Sequence, residues 1–338
     1  MIATMKRLTL TVILLVSISV TSAHAADSPV KFLFAYGGIS ASALPLWIGK
    51  EQGLFRKYSL DPQLVFIIAG RAAQAMVAGE VNIETNGANH VANAVASGAD
   101  MTMLLSWENK LGYLFVGRPT VKRAEDLKGK KVAIGTPAGT ASLATYVALD
   151  YLGLNPKRDN IALLGVGGNP DRLAALLGGG VDATSLGPEI AQLATSQGYP
   201  VLLDLAKENV PFQSSGLVTT KKFMKTNPQL IESVAKAIVE AIAFMHNPKN
   251  KKAVVDSIAK NLRLDKADRL ERAYQNVVQE LPRKPCPTVQ GVNSVLKIMA
   301  QYGLNPKALD LKPEDVIDLS LCKRLDDSGF MERVYQGM

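Results

Sequence analysis

Short apolar runs alternate with amphipathic stretches along most of this chain. Residues 30–36 are rich in β-branched and aromatic side chains and stop at Gly37-Gly38, the pattern of a strand ending in a turn. The same reading predicts strands at 64–68, 81–85, 101–105, 114–116, 132–135, 161–164, 182–185, 201–205 and 216–220. Helices are predicted between them, at 43–52, 71–78, 88–97, 140–152, 170–177 and 188–196. Ser40 or Ser42 and Thr140 serve as N-caps, and Gly53, Gly79, Gly98 and Gly153 as stops. The strands read as buried on both faces, which suits a parallel or mixed sheet covered by helices. From Pro228 the period becomes helical: Leu230, Val234, Ile238, Ala241 and Met245 recur at spacings of three and four, and Glu232 precedes Lys236 by four. Further helices are expected at 253–261, 266–280 and 288–302. The fold class is α/β. Gly-Leu-Asn-Pro-Lys occurs at 153–157 and again at 303–307, but the flanks differ, so it is one stop signal used twice rather than a duplication.

The first residues break this pattern. Lys6 and Arg7 precede a run from Leu8 to Val20 that is apolar apart from Thr and Ser, and Ala23-His24-Ala25 follows. This is the three-part layout of a secretory signal peptide, with cleavage expected after Ala25. No Cys follows the run, so lipid attachment is not expected. Removing residues 1–25, which hold two bases and no acid, takes the 338-residue chain from +8 to 313 residues at +6. No later stretch reaches the roughly 18 apolar residues of a membrane span. The mature protein is expected to be periplasmic.

Composition then narrows the chemistry. The chain has three His and two Cys, and His24 leaves with the leader, so a multi-ligand metal site is not expected. Export places Cys286 and Cys322 in an oxidising compartment, where they could pair, although the sequence is silent on their distance. The basic clusters at 128–131 and 249–252 are short and lack interleaved aromatics, so they read as solvated faces rather than a nucleic-acid surface.

In open α/β sheets, ligands sit beyond the C-terminal ends of strands, against helix N-termini. The loops there are 37–40, 69–71, 86–89, 106–108, 136–140, 167–169 and 186–189, and nearly all place Gly beside Ser, Thr or Asn. Such loops bring backbone close to a small ligand and offer it hydroxyl and amide groups, although the same residues also serve plain turns. Catalytic parts are scarce. There is no His-Glu-x-x-His, no Gly-x-Ser-x-Gly and no phosphate-loop lysine motif. Glu108 and Glu189 are acids at strand ends, one from each half of the chain, able to do acid–base work, form salt bridges or hold a ligand amine. His90 could line the cleft, and His246 reads as a helix-end residue. Trp107 could stack on a ring or pack between domains, and Arg71 is the cation best placed to meet an anion.

Three motifs in order carry a family resemblance. They are Pro45-Leu-Trp-Ile-Gly-Lys-Glu-Gln-Gly53-Leu54-Phe55-Arg-Lys-Tyr-Ser-Leu60-Asp61, then Asp126-Leu-Lys-Gly-Lys-Lys-Val-Ala-Ile-Gly135 with Gly139-Thr140, then Ala174-Ala-Leu-Leu-Gly-Gly-Gly-Val181-Asp182-Ala183 with Pro188. Over roughly residues 30–245 the chain resembles the periplasmic solute-binding proteins of ABC importers that bind nitrate, sulfonates, taurine or a thiamine pyrimidine precursor. It departs from them at Ser59, often Gly, at Asn82, often Asp, and at Thr140, often Ser.

The resemblance implies a type II periplasmic binding protein fold, with two Rossmann-like α/β domains and a ligand cleft and hinge between them. Domain I would comprise 27–117 and 214–338, and domain II 118–213. Gly38, Ser40, Gly70, Arg71, Asn86 and Trp107 would line one wall, and Thr136, Gly139, Thr140, Asn169 and Glu189 the other. Ser40 and Thr140 would receive an anionic or polar head, reinforced by Arg71, while Trp107 and Asn86 read the body of the solute. The implied partners are a small solute and a membrane permease, with no cofactor, no metal, no nucleic acid and a monomeric state. The function is solute capture without turnover. The alternatives are an enzyme of the related pyrimidine-synthase or desulfurising type, or the ligand-presenting subunit of a sensor.

Overall fold

The computed structural model describes residues 28–336, so the expected signal peptide lies outside the described residues. Among the described residues ten strands form two five-stranded sheets. The first contains β1 (Val30–Tyr36), β2 (Leu60–Phe66), β3 (Ile83–Asn86), β4 (Met101–Lys110) and β10 (Pro211–Thr220), in the order β2-β1-β3-β10-β4. The second contains β5 (Leu114–Gly117), β6 (Lys131–Ile134), β7 (Ala162–Gly165), β8 (Ala183–Leu186) and β9 (Val201–Asp204), in the order β7-β6-β8-β5-β9. Both sheets are mixed. β1 runs parallel to β2 and β3, and β6 parallel to β7 and β8, whereas β10 and β5 are antiparallel to their neighbours.

Two local differences from the sequence reading have physical causes. The second strand begins at Leu60 and includes Pro62, which is tolerated because β2 is an edge strand and needs no N–H there. Ser59 adopts φ +55 in the turn before it, the left-handed conformation for which Gly is the usual choice. Thr140 is the first helical residue rather than the N-cap, which is Gly139. A third difference concerns topology. The strand expected at 114–116 falls within the domain assigned to the first sheet, but Phe115 pairs with Ser185 and Leu203, which puts β5 in the second. The chain therefore leaves the first sheet through residues 111–113 and returns through 205–210. Leu111 N–H donates to Val210 C=O at 3.1 Å, so the two crossings run side by side.

Helices cover both sheets. The helix Pro228–His246 buries Ile231, Val234, Ala235, Ile238 and Ile242 against Phe34, Leu46 and Ile48, while its other face carries the Glu232–Lys236 pair at 2.7 Å. Full burial of each large apolar side chain contributes roughly 1.5–3 kcal/mol. A second core crosses from one half to the other, joining Phe115 and Leu143 to Met103, Val218 and Val295. Cys286 and Cys322 form a disulfide with Cα atoms 5.7 Å apart. It braces the segment after the helix Ala267–Glu280, whose Pro285 carbonyl accepts from Ser106 N–H of β4 at 2.9 Å.

Candidate functional site

The C-terminal ends of the parallel strands in both sheets face a cleft of about 880 Å³. One wall is made by residues 37–42 after β1, by 85–87 and His90 after β3, and by Trp107 to Lys110 at the end of β4. The other is made by Gly135, Thr136 and 139–141 after β6, 167–172 after β7, 187–189 after β8 and Asp204 after β9. The end of the helix Ala267–Glu280 closes one side.

Four helices start at the cleft, Ala88–Ala96, Thr140–Tyr151, Asn169–Leu177 and Pro188–Thr195, each with Gly as its N-cap: Gly87, Gly139, Gly168 and Gly187. A glycine cannot fold a side chain back onto the free N–H groups of the first turn. At Gly87 the reason is also steric. A Cβ there would lie 2.5 Å from Asn89 Oδ1, 2.9 Å from the Ser214 carbonyl and 3.0 Å from Thr140 Oγ1.

The two walls touch. Asn89 Nδ2 donates to the Ala138 carbonyl at 2.7 Å, and Thr140 Oγ1 donates to Asn89 Oδ1 at 3.0 Å. Ala138 holds φ +55, which turns the 136–139 loop so that this carbonyl meets Asn89. The backbone N–H of Ala41 lies close enough across the cleft to favour the charged form of the Glu189 carboxyl. Arg269 Nη2 donates to Ser196 Oγ at 2.8 Å, a further contact between the halves. The two halves are thus in contact across the cleft.

Carboxyl groups dominate the electrostatics. Burial, with Glu189 and Glu280 nearby, pushes Glu108 up to about 8. Burial pushes Glu189 up to about 7, with Glu280 adding and the N–H groups of Glu189 and Ala41 opposing. Glu280 keeps exposed surface at the mouth, yet desolvation in the cleft still raises it, against Lys110 and with Asp204. Burial pushes His90 down to about 4, so its ring is neutral at pH 7. Tyr113 is pushed up to about 12, again chiefly by burial. The buried Arg172 donates from Nε to the Ser185 carbonyl at 3.2 Å, from Nη1 to the Gly167 carbonyl, and from Nη2 to Asn169 Oδ1 at 2.6 Å.

Of the residues singled out from sequence, Gly38, Ser40, Asn86 and Trp107 lie on the first wall, and Thr136, Gly139, Thr140, Asn169 and Glu189 on the second. Gly70 and Arg71 lie outside the lining, and Arg71 is exposed on the helix Ala69–Val77. Trp107 has no exposed surface, and its Nε1 donates to the Ser42 carbonyl at 2.8 Å, so its ring supports the 37–42 loop. Ser40 Oγ bonds Ser42 Oγ at 2.6 Å rather than capping a helix. Arg172, Tyr113 and Glu280 were not anticipated. Arg172 follows a Gly-Gly-Asn loop, a signal equal in kind to that of Arg71, whereas nothing in the sequence marks Glu280.

Among the described residues no group of three metal-binding side chains occurs, and no helix is long and apolar enough to cross a membrane. A search of curated proteins gives no match. Solved structures share the fold. A protein of Bordetella bronchiseptica RB50 is 21% identical with a TM-score of 0.76, covering 88% of this chain and 98% of that one. The periplasmic aliphatic sulphonate binding protein SsuA of Escherichia coli is 20% identical with a TM-score of 0.66, covering 86% and 92%. The periplasmic nitrate-binding protein NrtA of Synechocystis PCC 6803 is 15% identical with a TM-score of 0.73, covering 89% of each chain. The family model described as NMT1/THI5 like matches residues 40–251, more than half of the sequence, and the chain belongs to that family.

Proposed function

We propose that the protein is the exported solute-binding component of an ABC-type importer, capturing a small organic solute between its two halves and handing it unchanged to a membrane permease. The observation that carries this reading is the closed cleft itself, in which helix starts from both halves meet and Asn89 bridges to the 138–140 segment. Two side-by-side crossings give it a hinge, and bending there separates the walls without breaking either sheet. On this reading residues 28–110 and 211–336 move as one domain and 111–210 as the other. The sulphonate- and nitrate-binding proteins of the same fold support a transport role. The chain then acts as a periplasmic monomer without a cofactor.

The test pairs thermal shift against a small-molecule library with uptake in cells lacking the gene. A solute that raises the melting temperature should reach the cytoplasm only when the gene is present. Conversion of that solute by the purified protein, or uptake unaffected by deletion, would defeat the reading.

A further inference from the structure

We propose that the cleft takes a solute bearing a cationic nitrogen, an amine or amidine, held by the carboxylates of Glu108, Glu189 and Glu280. The inference rests on the solute-binding reading above and names the chemistry that site selects. The three acids reach one cleft from three separate elements: the end of β4, the start of the helix Pro188–Thr195 and the end of the helix Ala267–Glu280. Like charges brought together out of water are unfavourable unless a counter-charge or protons neutralise them. Among the described residues none of the three has an ion-pair partner, whereas Asp204 nearby has Lys207 at 3.3 Å.

A second observation points the same way. An anionic solute would need the free N–H groups at the helix starts, and two of these starts are already served by the protein's own carboxylates. Asp171 accepts from Gly168 N–H at 3.1 Å, and the Glu189 carboxyl sits beside its own N–H and that of Ala41, which favour its charged form. The Arg172 guanidinium is turned onto two carbonyls and the Asn169 amide of its own half. The side chain after Glu108 adds an unmet acceptor, because Asn109 lines the cleft and its buried Oδ1 has no hydrogen-bond partner among the described residues. The lysines of the lining, Lys110 and Lys207, are exposed, and neither lies within ion-pair distance of the three acids, so an ammonium or amidinium group would supply the donors and the charge these carboxylates are without.

The experiment measures binding to the purified whole chain by calorimetry and thermal shift with two matched series. Benzamidine and 1,4-diaminobutane form the cationic series; benzenesulfonate, butane-1-sulfonate and nitrate form the anionic one. At least one cationic probe should bind, and Glu108→Gln and Glu280→Gln should each weaken it about tenfold or more, the share of a charge-assisted hydrogen bond. Glu280→Lys, at the exposed mouth where folding is least at risk, should abolish cation binding and admit a sulfonate. The melting temperature without probe reports folding of each variant. Binding of anions but not cations to the parent chain overturns the inference and leaves the solute-binding reading standing. Binding of neither series overturns the inference and counts against that reading as well. Cation binding unchanged in both glutamine variants overturns the assignment of the carboxylates.

Discussion

Asn89 is the residue on which closure can be tested most directly. It has no exposed surface, it is not among the cleft-lining residues, and it makes both side-chain hydrogen bonds to the 138–140 segment, at 2.7 and 3.0 Å. Asn89→Ala removes both without removing a contact to the solute. It places a better helix former in the first turn of the helix Ala88–Ala96, so the helix is not weakened. Each bond contributes about 0.5–1.5 kcal/mol net, so the closed form loses roughly 1–3 kcal/mol relative to the open one. Where the solute binds the closed form and the open form dominates in its absence, the apparent Kd rises by that whole amount, roughly 5- to 150-fold. Thr140→Val, which removes one bond, should cost roughly 2- to 10-fold. Calorimetry with the best-binding library solute measures the Kd, and small-angle scattering of the saturated protein measures closure through the radius of gyration. Unchanged Kd and unchanged radius in both variants would refute the role given to this bridge.

Three further outcomes are expected. Gly87→Ala should fold, by circular dichroism, yet bind its solute more weakly, because part of an overpacking cost of about 1–3 kcal/mol falls on Thr140 Oγ1, the one of the three atoms nearest the added Cβ that belongs to the other half. Glu84 is fully buried on β3 and pushed up to about 8 by desolvation; its Oε1 accepts from Asn86 Nδ2 at 3.1 Å and its Oε2 has no partner among the described residues. Its folded pKa lies above the unfolded 4.5, so its contribution is fully present below 4.5 and is lost as pH rises to about 8; denaturant titrations at pH 5 and pH 8 should show Glu84→Gln gaining on the parent, on the order of 1.4 kcal/mol per pH unit within that window. Replacing Cys286 and Cys322 together by Ser opens a loop of sequence separation 36 and should lower stability by about 4 kcal/mol, read as a fall in denaturation midpoint that reductant reproduces in the parent.

Much of the site's scaffold was legible before any coordinates. The glycines at 87, 139, 168 and 187 stand between a strand pattern and a helix pattern, and each proves to be an N-cap at the cleft. Periodicity could not rank Arg71 against Arg172. Both follow a glycine loop, but Arg71 is the third residue of its helix and Arg172 the fourth of its own. One residue turns a helix face by about 100°, enough to point one guanidinium to solvent and bury the other beside the cleft.

The sequence by itself determined the local elements, because the repeat of side-chain directions and the stop residues belong to neighbours in the chain. It also determined the kind of loops the strands end in. Only the tertiary structure decided that Leu114–Gly117 joins the second sheet, since a short apolar strand fits either sheet until its partners β8 and β9 are in place. Only the tertiary structure brought Glu280, on a distant helix, to Glu108 and Glu189. A cleft's charge is a sum over elements that meet in space, and no periodicity along the chain encodes that meeting.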